Sequence, residues 1–219
     1  MTFGYKTAWF AIRATDREAV ARALGLKHLT PAPADAAITA AYREPGKVFV
    51  TPALDGWTLA MSSGFLTLAE GTPPPFLDRL RRVSAELGTE AQFFASHRVV
   101  ELHAWGRAAL GQLDRAYCYC GHSGETSVDA GNQTTQEVQL GHSFYDSSSP
   151  EARTDAYWER DDLRFANEED VMEVAGLWSV NPQSLEDLRE GFLADGELPA
   201  VPAAPAVPAP AKKPLWRFW

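Results

Sequence analysis

Between residues 99 and 121 the chain alternates apolar and polar side chains almost without a break. Val100, Leu102, Ala104 and Gly106 share one parity, and Glu101, His103, Trp105 and Arg107 the other. After Ala109-Leu110-Gly111, Ala116, Cys118 and Cys120 alternate with Arg115, Tyr117 and Tyr119. A period of two marks strands with unlike faces, and a short glycine-containing link joins them as an antiparallel hairpin. A three-residue link with a left-handed glycine predicts Glu101 opposite Tyr119, His103 opposite Tyr117 and Trp105 opposite Arg115. A two-residue link would slip the register by one and set His103 beside Cys118 and Glu101 beside Cys120.

Each face has its own chemistry. Cys118, Cys120 and His122 project from one side, and zinc takes thiolate and imidazole. No second ligand pair follows at suitable spacing, so no metal is expected and the thiols read as core residues. With two cysteines one residue apart, a disulfide framework is excluded and a reducing, cytoplasmic compartment is expected. The other side gathers Glu101, His103, Trp105, Arg107, Arg115 and Tyr117. A histidine beside a carboxylate suits a general base, arginine an anion clamp and tyrosine a donor. The competing expectation is a solvent face stabilised by cross-strand pairs.

Upstream, 5–13 reads as an aromatic-rich strand, and Thr15-Asp16-Arg17-Glu18 as a capping box opening a helix that stops at Gly25. Pro31, Pro33 and Pro45 suggest a loop over 28–46 with at most a helical turn. Strands at 48–50 and 57–61 flank Asp55-Gly56, a hairpin signal. Pro73-Pro74-Pro75 opens a second helix through Leu87, and 91–96 supplies a further strand. That order, β-α-β-β-α-β, is the order of a ferredoxin-like split unit. A β-meander follows over 99–108, 112–121 and 125–129. Thr134 to Glu137 caps a short helix before Gly141, and 143–167 reads as a polar loop. Asn167 to Asp170 caps a helix with Val171, Val174, Ala175 and Trp178 as its apolar stripe, and Pro182 starts a last short helix. The expectation is an α+β fold, an antiparallel sheet with flanking helices, as one domain over 1–195.

Residues 196–219 are expected as an extended tail, since six prolines after residue 198 forbid helix or central strand. It ends in Leu215-Trp216-Arg217-Phe218-Trp219, and the residues Trp216, Arg217, Phe218 and Trp219 are a candidate docking peptide for an adaptor. A membrane interface or the chain's own surface would also suit it. No stretch is long enough to span a membrane, and the start lacks the features of a signal peptide.

The whole chain carries −9, against a main role in coating nucleic acid, which needs a basic footprint. Between Asp146 and Glu173 stand ten carboxylates and only three arginines. Asp161, Asp162, Glu168, Glu169 and Asp170 are the candidate contact residues for a basic protein partner. Against that stands a solvated loop followed by acids that favour a helix N-terminus. No nucleophile elbow, phosphate loop, dinucleotide turn or metalloprotease helix occurs, so no catalytic residue is assigned and no cofactor is expected.

Two stretches carry a resemblance: 88–94 through Glu101-Leu102-His103-Ala104-Trp105-Gly106-Arg107 to Arg115-Ala116-Tyr117, and Glu169-Asp170-Val171-Met172 to Asn181-Pro182. They resemble a group of uncharacterised bacterial proteins, from which no activity carries over. In type, a small acidic chain without catalytic motifs is similar to immunity proteins of bacterial toxin systems. That likeness implies a non-enzymatic partner that blocks a basic toxin domain. An enzyme or ligand binder using the Glu101/His103 face is the alternative from another class.

Overall fold

The computed structural model describes residues 6–140, 143–185 and 187–196; the aromatic end of the tail lies outside them. Nine strands form one sheet in the spatial order β2-β11-β3-β4-β1-β5-β6-β7-β8, and every neighbouring pair is antiparallel. In chain order they are β1 (Lys6–Ile12), β2 (Leu26–Pro33), β3 (Lys47–Val50), β4 (Thr58–Ser62) and β5 (Glu90–His97). Then come β6 (Leu102–Ala109), β7 (Gln112–Cys120), β8 (Glu125–Ala130) and, at the end, β11 (Glu190–Gly196). A separate parallel pair, β9 (Ser143–Phe144) and β10 (Leu163–Arg164), lies between β8 and β11 in the chain.

Both faces of the sheet are covered, which is why β1 is buried on each side. Phe10 and Ile12 join Val20 and Leu24 of α1 (Arg17–Leu24) and Phe76, Leu80 and Val83 of α3 (Phe76–Leu87). Trp9 and Ala11 face the opposite way, with Ala37 and Ile38 of α2 (Ala34–Arg43) and Val171, Val174 and Trp178 of α6 (Glu168–Trp178). Gly106 lets α3 approach, because a Cβ there would stand 2.9 Å from the Phe76 ring. Local signals set the ends: Asp16 accepts from Ala19 N, and left-handed Gly25 and Gly88 close α1 and α3. Asp55 and Gly56, both with positive φ, make the turn between β3 and β4.

The expected strand–helix order is interrupted. Residues 26–43 form β2 and α2, where a loop was expected from the prolines. β2 is one of the sheet's two edge strands, where Pro31 and Pro33 cost no ladder bond on the open side, and Ala-rich α2 starts just past Pro33. Near the other end, Pro182 opens only a 3₁₀ turn (Pro182–Leu185), and the chain then enters the sheet as β11 between β2 and β3.

The β6–β7 register also differs from expectation. Leu110 and Gly111, both at positive φ, make a two-residue turn, and Asp114 is then bulged out of the ladder. The bulge restores the parity that the shorter turn would have reversed. His103 therefore pairs with Tyr119, Trp105 with Tyr117 and Arg107 with Arg115, while Cys118 stays on the face of Ala104. Cys118 is in the α1/α3 core with its thiol donating to Ala69 O, and burial pushes that thiol up to about 12. Among the described residues no His, Cys, Asp and Glu side chains are grouped to hold a metal ion, and no helix is long and apolar enough to cross a membrane.

Candidate functional site

The face bearing His103, Trp105, Arg115 and Tyr117 is neither open to water nor a single pocket. The segment 134–178 folds over it as a cover made of α4 (Thr135–Gln139), β9, a 3₁₀ turn (Pro150–Arg153), α5 (Asp155–Trp158), β10 and α6. Trp105 packs edge-on and Tyr117 tilted beneath Phe144, with ring centroids 4.9 and 5.4 Å away. Tyr117 donates its hydroxyl hydrogen to Tyr145 O at 2.7 Å, and the Thr126 hydroxyl donates to the same carbonyl at 2.9 Å. Burial raises the Tyr117 phenol far above its usual range, so it stays a neutral donor.

A buried ion pair anchors the cover at one end. Thr134 and Glu137 cap α4 reciprocally, and the same Glu137 carboxylate, 0% exposed, accepts from Trp105 Nε1 at 2.9 Å and Arg115 Nε at 2.9 Å. Arg115 Nη1 donates to Asp129 and to the carbonyls of Ala116, Ala130 and Gly131. Burial works against the guanidinium charge, yet Glu137 and Asp129 outweigh it and hold the group above its ordinary value. Trp105, Arg115 and Tyr117 are thus committed to holding the cover. Arg107 stands apart at the margin, 5.3 Å from the Trp178 ring centroid.

Of the six expected face residues, Glu101 and His103 share an opening. They line a cleft of about 410 Å³ with Tyr119, Phe165, Ala166, Asn167 and Glu168. Glu101 has a left-handed backbone (φ 51°) just before β6. Its side chain lies against Gly121, where a Cβ would fall 2.2 Å from Glu101 Oε2. His103 is 2% exposed, with Nδ1 3.5 Å from Ser96 Oγ. Burial depresses its pKa to about 4 despite the opposing influence of Glu168, so the ring is neutral at pH 7. The Arg98 guanidinium sits 3.0 Å from Glu168 Oε1, and Glu168 lies below the usual carboxylate range because its hydrogen bonds outweigh burial.

The outer surface of the cover is aromatic and acidic. Tyr145 is ringed by Trp158 at 5.4 Å, Phe165 at 5.0 Å and Tyr119 at 5.7 Å, with Tyr157 beside Trp158. Trp158 is 53% exposed and Phe165 47%, so two large rings face water on one short segment. Asp155, Glu159, Asp161 and Asp162 are exposed on the same segment. Arg160 pairs with Asp162 and Arg164 with Asp170, whereas Asp155, Glu159 and Asp161 form no salt bridge among the described residues.

These positions revise the expected contact set. Asp161, Asp162 and Glu169 are exposed, and Glu168 lines the cleft. Asp170 is fully buried: it caps α6 by accepting from Asn167 N and pairs with Arg164 at 2.6 Å, so it cannot meet a partner. The aromatic members were missed because 143–167 was expected as a polar loop. The doublets Phe144-Tyr145 and Tyr157-Trp158, followed by Phe165, were the signal, since solvated loops seldom carry so many large rings. Comparison with protein families, with curated proteins and with solved structures finds no match to this chain.

Proposed function

We propose that the chain is a non-catalytic binding protein of the cytoplasm that neutralises a basic toxin domain by covering it with the surface formed by residues 145–169. The observation that carries this reading is the juxtaposition of half-exposed Trp158 and Phe165 with the unpaired acids Asp155, Glu159 and Asp161. Rings held rigidly by neighbouring rings lose little entropy on association, and surrounding carboxylates steer a cationic partner and set its orientation. The burial of Trp105, Arg115 and Tyr117 weighs against the enzymatic alternative, since three of its six residues are occupied in packing. The finer fold reading fits the same picture. The order β3-β4-β1-β5, with α1 and α3 on one face, supports a ferredoxin-like unit enlarged by β2, α2 and β11 and carrying the cover on its other side.

Affinity purification of the full chain from its native host, with mass spectrometry, tests the reading. The expected result is one near-stoichiometric basic toxin domain, held by the wild type and lost from both a Trp158→Ala/Phe165→Ala variant and an Asp155→Lys/Asp161→Lys variant. Retention by both variants would overturn the assignment of this surface. An acidic partner would overturn the charge logic.

A further inference from the structure

The cleft beside the aromatic row is lined by two carboxylates, Glu101 and Glu168, and by the His103 ring, with the Tyr119 hydroxyl and the Asn167 side-chain amide as its other polar side-chain groups. Glu101 has no side-chain hydrogen bond or salt bridge to any described residue, although it stands at the rim beside Tyr119 and Phe165. Glu168 contributes a second carboxylate, shared with the outward-lying Arg98. Between them lies His103, almost wholly buried, with Nε2 lacking a hydrogen-bond partner among the described residues. When the Nδ1 proton points to Ser96 Oγ, Nε2 is an acceptor turned to the cleft. Tyr119 and Phe165, with centroids 5.6 Å apart, add two ring faces.

Two carboxylates, a neutral imidazole acceptor and two aromatic faces are complementary to a planar cation with several donors. A guanidinium has five donors in a fixed fork, stacks on rings and is weakly hydrated, so it fits this combination better than an ammonium. Phe165 belongs both to the cleft and to the exposed aromatic row, which makes the two surfaces continuous. We propose that the cleft formed by Glu101, His103, Tyr119, Phe165 and Glu168 receives one arginine side chain of the basic protein partner. This rests on the proposed binding role and names the anchor by which the partner is held.

The test is a titration of the ¹⁵N-labelled full chain with N-acetyl-arginine-methylamide, followed at the His103 ring nitrogens and at the Glu101, Tyr119 and Phe165 amides. N-acetyl-citrulline-methylamide has nearly the same shape without charge, and N-acetyl-lysine-methylamide has charge without the fork. Saturable shifts confined to the cleft are expected with arginine at millimolar affinity, with the other two about tenfold weaker or worse. Glu101→Gln should weaken the arginine probe about fivefold while leaving the melting temperature unchanged. Equal shifts by citrulline would overturn the charge requirement, and equal shifts by lysine the guanidinium assignment. No shift at His103 with arginine would overturn the site altogether. That failure would leave the broader surface intact if partner capture still responded to Trp158→Ala/Phe165→Ala.

Discussion

Replacing Arg115 by methionine removes the cation from beneath α4 while keeping an unbranched side chain of similar length in the packed interior. Glu137 then loses the bond from Arg115 Nε but keeps those from Trp105 Nε1 and from Thr134 N and Oγ1, in a site with no solvent access. An uncompensated buried charge of this kind costs about 3–5 kcal/mol, a large share of the roughly 5–15 kcal/mol by which a domain is stable. With an ordinary urea dependence the denaturation midpoint should fall by on the order of 2 M. The reciprocal change tells whether charge is the cause. Arg115→Met combined with Glu137→Leu removes the two fully buried charges and leaves only the partly exposed Asp129 without its cation, and should recover part of the loss even though Trp105 Nε1 and the α4 cap each lose an acceptor. Equilibrium urea unfolding followed by tryptophan fluorescence and by far-ultraviolet circular dichroism measures all three variants. A single-variant loss below about 1 kcal/mol, or a double variant no more stable than the single, would refute the claim that this pair holds the cover.

Other consequences can be measured on the same protein. His103 is held neutral well below its ordinary 6.5, so the unfolded chain takes up its proton first as the solution is acidified. Its contribution to stability is complete above pH 6.5 and is lost as the pH falls toward 4, by roughly 3 kcal/mol, and His103→Gln should flatten that part of the urea-midpoint profile. Gly121→Ala should displace Glu101 and weaken the arginine probe at least about fivefold in the nuclear magnetic resonance titration, with a loss of about 1–3 kcal/mol in unfolding free energy, because the new Cβ would also stand 2.7 Å from Glu101 Cβ, which side-chain rotation does not relieve. Trp158→Ala should alter stability by no more than about 1 kcal/mol, because half the ring already faces water, yet reduce partner affinity at least about tenfold by calorimetry. Deleting Glu190–Gly196 should prevent cooperative unfolding, as β2 would be left without any strand partner.

The hairpin at 102–120 was legible because it is specified locally: strict alternation and a glycine turn give both its strands and its faces. Its precise pairing was not, because nothing in Gln112-Leu113-Asp114 announces that Asp114 will leave the ladder. The helix caps at Thr134 and Asn167 were readable for the same local reason, but not that Glu137 would also pair with buried Arg115 and Asp170 with half-buried Arg164. Those second roles depend on residues brought in from elsewhere in the chain. β2 was obscured by prolines that only an edge position tolerates, and β11 by a stretch whose strand character comes from the two strands it joins. The candidate site was half visible. Glu101, His103 and Tyr119 stood out in the alternating pattern of the hairpin, while Phe165 and Glu168 converge on them only through the fold of the cover.

The place of β11 in the sheet bears on how the molecule assembles in time. The bond from Thr30 Oγ1 to Leu193 O closes a sequence separation of 163 residues, so the pairing that seats β2 is among the most distant in the chain. Long-range closures of this sort are slow and come late. A ribosome adding about 5–20 residues per second needs on the order of ten seconds to go from Val50 to Glu190. Through that interval β3 presents an open hydrogen-bonding edge to its surroundings, a template for pairing with another nascent copy. Lower expression, which keeps nascent copies apart, should then raise the share of the chain that reaches its native form.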